Sequence, residues 1–358
     1  MKFIVFAGGQ GTKLWPLSRE NKPKQFQPVV GEKTLFRENI DALLSAYEIE
    51  DIFVATKKRY VEYVVKDAPE ILMENIIIEP DIAKNTGPAT GLAILKLSLK
   101  FPEEPFMIVQ ADCIRTPDTK FVEMIKVAEK LVREEKKLVT GGQKAQYPDM
   151  GIDYLMLGDQ LKNYAGIDVF KIEKFIPRMN SYQETEKLIS EVGIATHSNH
   201  YCWYPNLMLE TYQKYRPDWY QSLMEIKVVM GKENEEAETE KIYEKMETGT
   251  AEEVTKHIFS ESYIIINPFQ WLDMGTWGVV YEYLASNDEV YFEGNVLAIN
   301  SKNSLIKSTQ QRLIAAIGID NLLVVDTEDA LLICPKSLAQ EVQKIIVKLK
   351  EEGKHLYL

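Results

Sequence analysis

The sequence predicts an α/β chain: a doubly wound, mostly parallel sheet over residues 1–288, then a small β unit with a terminal helix over 289–358. Three observations carry this. The chain opens on an apolar run, Phe3 to Ala7, that breaks at once into Gly8-Gly9-Gln10-Gly11, as a buried parallel strand does on entering a ligand loop. Strand-like and helix-like periodicities then alternate, which places ligands at the carboxyl ends of the strands. From Gly294 the texture changes to short β-rich runs separated by turn residues.

The elements follow in order. Thr34 is a helix N-cap before a stripe of Leu35, Phe36, Ile40, Leu43 and Leu44. Strands are expected at 51–56 and 76–78, with a helix at 60–66 between them, and the apolar run after Asn85 reads as a helix to Lys100. Phe106 to Asp112 is a buried strand ending in a carboxylate, and Thr116-Pro117 caps the next helix, so Asp112 is left free. Strands at 138–142 and 169–176 follow, with a turn and strand over 147–155 between them, then helices at 181–191 and around Leu207 to Tyr212. Glu233 to Glu253 is a solvated helical face. Tyr263 to Ile266 is a strand. The C-terminal strands are expected at 296–299, 304–307, 313–317, 322–325 and 330–334. Ser337 is expected to cap a last helix whose stripe of Leu338, Val342, Ile345, Ile346 and Leu349 needs a surface to cover it, in this chain or in a second copy.

With 358 residues, 27% charged and 45% hydrophobic, the balance is that of an ordinary soluble globular protein. A net charge of −12 argues against a nucleic-acid partner. Cys113, Cys202 and Cys334 are widely spaced and odd in number, as in a reducing compartment without a disulfide frame or zinc site. The opening apolar run is too short for a leader or a membrane span, so a cytoplasmic location is expected.

The N-terminal loop reads as an anion cradle. Gly8, Gly9 and Gly11 let amide groups close on phosphate, Thr12 adds a hydroxyl, and Lys13, Arg19 and Lys24 supply cations. It is neither a P-loop nor a dinucleotide fingerprint. The whole stretch, Gly8-Gly9-Gln10-Gly11-Thr12-Lys13-Leu14-Trp15-Pro16-Leu17-Ser18 with Pro23-Lys24-Gln25-Phe26, resembles the signature of the sugar-phosphate nucleotidyltransferases, most of all the mannose-1-phosphate guanylyltransferase branch. Trp271-Leu272-Asp273-Met274-Gly275-Thr276-Trp277 is similar to that family's second signature.

The resemblance spans nearly the whole chain. It implies a Rossmann-like catalytic domain, a C-terminal unit of the left-handed β-helix type, and synthesis of GDP-mannose and pyrophosphate from GTP and mannose 1-phosphate. It implies Mg²⁺ on Asp112 and Asp273, with Lys13 on the β,γ-phosphates and Lys24 on the sugar phosphate or the transferring one. Nucleotide contacts are implied at Gly8, Gly9, Gly11, Thr12, Lys13, Arg19, Asp112, Glu79, Asn85 and Thr86. The Glu79-to-Ala89 segment reads the base in the family, with free amides at a helix N-terminus, although a plain helix-capping turn explains the same residues.

On the sugar side the resemblance implies Lys24, Gly151, Asp153, Tyr154, Arg178 and Asn206, yet the motifs depart from the family. Cys113 stands where the family has His, and Asp153 where it has Gly. Asp153 either accepts hydrogen bonds from sugar hydroxyls, the favoured reading, or pairs with a nearby cation. His197, His200 and Cys202 lack the second cluster of a metal site, and read as a polar edge of the sugar pocket or as packing. The same chemistry on another sugar phosphate or nucleotide, and a non-catalytic nucleotide-sugar-binding subunit, stand as alternatives. A homo-oligomer is expected.

Overall fold

The computed structural model describes residues 1–161, 163–164, 166–285 and 290–358. The expected boundary between 288 and 289 lies outside the described residues. Ten strands form one mixed sheet, and its organising part is four parallel strands in the order Phe106–Gln110, Lys2–Phe6, Ile52–Lys57, Ile76–Glu79. The first strand therefore lies between the second and the fourth, so the order in which the chain lays down its strands reverses beside it. A crevice opens where such an order reverses. The glycine loop leaves one strand at that crevice and Asp112 leaves its neighbour.

Local sequence explains the flanking helices. The Thr34 side chain accepts from the Arg37 amide, and Leu35–Leu44 buries Leu35, Phe36, Ile40 and Leu43. Thr86–Lys100 is apolar nearly all round and is buried accordingly, between the sheet and the helices Pro205–Tyr215 and Pro217–Val229. The acidic 233–253 stretch is not one helix but two, Glu235–Lys245 and Glu252–Thr255. Thr-Gly-Thr at 248–250 interrupts it with residues that disfavour helix.

Two elements escape a periodicity reading. Cys113–Thr116 is a strand, and it pairs antiparallel with Gln270–Asp273 in a small separate sheet, with Asp273 opposite Cys113. Cys202–Trp203 inserts antiparallel between Phe106–Gln110 and Val139–Lys144. Both are too short to show alternation.

The C-terminal strands lie close to their expected bounds. Val290–Glu293, Ser304–Ser308 and Leu322–Asp326 stack in parallel, as do Val296–Ile299 and Ile314–Ile317, while Leu331–Pro335 closes the first stack antiparallel. Left-handed Asn300, Asn303 and Asn321 make corners, a conformation Asn tolerates. The last helix, Val342–Glu351, follows a 3₁₀ segment, Lys336–Glu341, and Ser337 does not cap it. Most of its stripe is covered within this chain: Val342 and Ile346 pack in one apolar cluster with Leu14, Trp15, Leu17 and Trp277, Ile345 and Leu349 lie partly buried against it, and Leu338, in the 3₁₀ segment, stays exposed.

Packing is tightest where glycine lets helices meet. A Cβ on Gly87 would stand 2.2 Å from the Trp219 ring and 2.9 Å from the Gly249 carbonyl, whereas one on Gly9 meets nothing within 4 Å. Alanine at position 87 gains at most about 1 kcal/mol of helix propensity, and the overpacking costs about 1–3 kcal/mol or more. Gly87→Ala should therefore lower the unfolding free energy by roughly 2 kcal/mol in a denaturant titration. Gly9→Ala should leave it nearly unchanged. Equal midpoints for the two variants would mean that the 86–100 helix does not seat against Trp219.

Candidate active site

The glycine loop and the second tryptophan-flanked motif are far apart in sequence and converge on one side chain. Lys24 Nζ lies 2.9 Å from Asp112 Oδ2 and 2.8 Å from Asp273 Oδ1, and 3.3 Å from the Met274 carbonyl. The small sheet joining Cys113–Thr116 to Gln270–Asp273 brings the two carboxylates together. Lys24 reaches them because Gly11 has no side chain: a Cβ there would stand 2.4 Å from Lys24 Cγ, and Gly11 sits at φ +57. Burial works against the Lys24 ammonium, but Asp112 and then Asp273 outweigh it and hold its pKa above the ordinary lysine range. Burial also works against the Asp112 carboxylate, and Lys24 outweighs that, so Asp112 stays ionised below its usual pKa.

Oxygen and sulfur of Asp112, Cys113 and Asp273 lie within 4.8 Å of one another. Burial, then Asp112 and Asp273, push the Cys113 thiol well above its ordinary pKa, so it is a neutral neighbour and not a thiolate. What remains is a pair of hard carboxylates, with Asp273 half exposed to the cleft. That donor set fits Mg²⁺.

Beside Asp273 opens a cleft of about 740 Å³, walled by Lys13, Gln143, Asp149, Gly151, Asn267 and Gln340 among others. Asn267 is 9% exposed, and neither its amide nitrogen nor its amide oxygen has a partner among the described residues. Gly141 makes room for it, since a Cβ there would stand 2.8 Å from Asn267 Oδ1 and from Ser198 Oγ. A buried amide with both ends unpaired is costly.

The glycine loop is braced from below. Gln25 Nε2 donates to the carbonyls of Ala7 and Gly9 at 2.8 and 2.9 Å. Glu79 lies against Gly8, with its Oε2 3.1 Å from where a Cβ would be, and accepts from the Tyr243 hydroxyl at 2.8 Å. Burial raises its pKa to about 7 against the opposing pull of Tyr243 and Lys57.

Other expected residues stand elsewhere. Arg19 is buried, with Nε on the Pro16 carbonyl and Nη2 on Asp329 at 2.7 Å, so it ties the loop to the C-terminal unit and does not face the cleft. The first amides of the 86–100 helix are not free: Asn85 Oδ1 takes the Thr86 N–H and the Gly249 carbonyl takes that of Gly87. Thr86 Oγ1 accepts from Ala251. Gly151 lines the cleft, but Tyr154 is fully buried with its hydroxyl on the Asp149 backbone.

Asp153 adopts the second of its two readings. Its Oδ1 accepts from the Arg178 amide at 2.8 Å, and its Oδ2 from Arg178 Nη2 at 2.8 Å. The two residues expected to face sugar are spent on each other. Asn206 is exposed in the first turn of Pro205–Tyr215 and is absent from the cleft wall. The wall takes Thr196 instead, and His197 and His200 are buried beside it without a metal-binding partner set among the described residues. Asn267, Gln143 and Gln340 were missed because they lie outside both signatures. The one available sign was a polar Asn directly after the apolar run Tyr263–Ile266.

Comparison with known proteins agrees with this geometry. A nucleotidyl transferase family model matches residues 2–152, and a model of the mannose-phosphate isomerase/GMP-like β-helix domain matches 294–349. The chain is 29% identical to mannose-1-phosphate guanylyltransferase 2 of Escherichia coli O157:H7, covering 99% of this chain and 74% of that protein. It is 28% identical to the mannose-1-phosphate guanylyltransferase of Klebsiella pneumoniae, over 99% and 75%. The alginate biosynthesis protein AlgA of Pseudomonas aeruginosa is 24% identical, over 98% and 72%. In fold, the solved structure named mannose-1-phosphate geranyltransferase from Thermus thermophilus superposes with a TM-score of 0.84 at 23% identity, over 98% of this chain and 99% of that one. The two signatures, the carboxylate pair they build and these relatives agree: the chain carries a nucleotidyl transferase domain over residues 2–152 and is similar over nearly its whole length to mannose-1-phosphate guanylyltransferases.

Proposed function

We propose that this enzyme makes GDP-mannose and pyrophosphate from GTP and mannose 1-phosphate. The observation that carries the reading is the meeting of Asp112, Asp273 and Lys24 at the carboxyl edge where the sheet order reverses, beside the glycine loop. A phosphate oxygen of the sugar phosphate attacks the α-phosphorus of the nucleotide in line. The new P–O bond forms as the bond to the β-phosphate oxygen breaks, and its electron pair leaves with pyrophosphate.

No side-chain nucleophile is required. Both reactants are anions, so the protein's task is to position them and offset their charge. Lys13 stands on the cleft wall as a cation for the β,γ-phosphates. Lys24 supplies a second fixed cation, which can turn from the carboxylates toward incoming phosphate. Asp112 and Asp273 would hold Mg²⁺, which when bound draws charge from the α-phosphate oxygens, a contribution of several kcal/mol. Glu79, under Gly8, is the acceptor proposed to read the base. The division into catalytic and C-terminal domains near residue 288 belongs to the same reading, as does a cytoplasmic setting. Among the described residues no helix is long and apolar enough to cross a membrane.

The sugar is where a second reading has support. With Asp153 and Arg178 paired, the charged pair expected on the sugar side is not free to meet hydroxyls. The same chemistry on another sugar 1-phosphate is therefore the alternative. A purely binding subunit has less support, since it needs no paired carboxylates. For assembly, Leu297, Ile299 and Ile317 form an exposed apolar face on the paired strands 296–299 and 314–317, and a second copy is the proposed cover.

Pyrophosphate release measured across a panel of triphosphates and sugar 1-phosphates should peak with GTP and mannose 1-phosphate. No release with any pair would overturn the enzymatic reading, and a peak elsewhere would reassign the substrate. Asp112→Asn or Asp273→Asn should cut turnover by at least about 100-fold while the fold survives. Near-normal turnover in Mg²⁺ would remove that residue from the reaction centre. Asn267→Leu should raise the unfolding free energy by about 1 kcal/mol in a denaturant titration, since it removes an unpaired buried amide. A loss of stability would mean that the amide is hydrogen-bonded in solution.

A further inference from the structure

The part of the signature that carries its hydroxyl and cations is held by the C-terminal unit. Thr12 Oγ1 donates to Gln343 Oε1 at 3.2 Å, and Lys13 Nζ to Gln340 Oε1 at 3.4 Å. The Trp15 indole N–H donates to the Tyr357 carbonyl at 2.8 Å, Arg19 meets Asp329 at 2.7 Å, and Lys350 meets Glu20 at 2.5 Å. Beneath these bonds, Leu14, Trp15 and Leu17 share an apolar cluster with Val325, Leu332 and Val342.

Thr12–Leu14 is a single 3₁₀ turn, and no side chain caps it. A turn that short does not hold its own shape, because few bonds offset the dihedrals it fixes. Its conformation must come from what it packs on. Gln340 also lines the main cleft with Lys13 and Asp273. A glutamine orients an ammonium through its carbonyl oxygen and leaves the charge intact, where a carboxylate would cancel it.

We propose that Gln340, Gln343 and Asp329 are positioning residues of the phosphate loop. They hold Lys13, Thr12 and Arg19 so that the loop presents its cation to the β,γ-phosphates of a nucleoside triphosphate. The C-terminal unit is thereby a working part of the active site as well as an assembly surface. This inference rests on the nucleotidyltransferase reading above.

The test uses the full-length chain and calorimetric binding of GTP and GMP, or of the corresponding pair for whichever base the substrate panel selects. Gln340→Leu and Gln343→Leu should each weaken the triphosphate by about 3- to 10-fold, the loss of one hydrogen bond, and leave the monophosphate unchanged. The double variant should lose more than either single variant, by a factor that reports their coupling through the one turn they hold. Gln340→Glu should weaken the triphosphate more than Gln340→Leu does, since it keeps a partner for Lys13 but cancels its charge. Asp329→Asn, outside the cleft wall, should give the same triphosphate-only loss. Unchanged triphosphate affinity in the double variant would overturn the inference, and so would equal losses for both nucleotides. Failure of the wild-type chain to bind either nucleotide would overturn the underlying reading, and it would be seen before any variant is compared.

Discussion

The Lys24 ammonium between Asp112 and Asp273 is the interaction on which the site depends. Two carboxylates this close repel each other, and in a part-buried setting that repulsion is poorly screened. Lys24 offsets it. Removing one partner leaves the remaining charges uncompensated, at a cost reduced below that of a fully buried pair by the exposure of the two carboxylates. The backbone serves this contact: Gly11 clears the path of the lysine stem, the Cys113–Thr116 and Gln270–Asp273 pairing delivers Asp273, and the sheet reversal delivers Asp112. The same arrangement prepares the protein for catalysis. A cation already stabilises the carboxylates without a metal, and in the proposed reaction it would turn to phosphate once a metal takes them.

A second constraint comes from the other end of the chain. The turn after Gly11 packs its apolar residues on the C-terminal unit, and Trp277, three residues beyond Met274, donates its indole N–H to the Trp15 carbonyl. The first signature, the second signature and the terminal helix therefore share one apolar cluster. This explains why the terminal helix does not leave its stripe for a partner. The exposed apolar surface of the C-terminal unit lies mainly on its strands, at Phe292, Leu297, Ile299, Ile317, Leu331 and Ile333.

What the sequence made legible was whatever is local. The strand entering the glycine loop, the Thr34 cap, the parallel core strands and the short C-terminal strands follow from periodicity and turn chemistry. Both magnesium-candidate carboxylates follow from the signatures. What it concealed was partner choice. Arg19, Asp153 and Arg178 are ordinary charged residues in the right stretches, but Asp329 claims the first and the other two claim each other. Sequence spacing reports which groups are near along the chain, whereas these pairings are decided by which charges burial brings together. Asn206 was displaced for a different reason. A two-residue strand, too short to read, takes Trp203 into the sheet and turns the following helix away from the cleft.

The central claim is the proposed competition at Lys24: its ammonium and a metal would compete for the Asp112 and Asp273 carboxylates, and phosphate would compete with those carboxylates for the ammonium. Binding of Mn²⁺, as a paramagnetic stand-in for Mg²⁺, can be titrated in the absence of nucleotide in the wild-type chain and in Lys24→Ala. The account predicts that removing the ammonium tightens metal binding by about 10-fold or more, since a competing cation has gone, while turnover falls by about 100-fold because phosphate loses its partner. Equal metal affinity in the two proteins, or normal turnover in the variant, would contradict it.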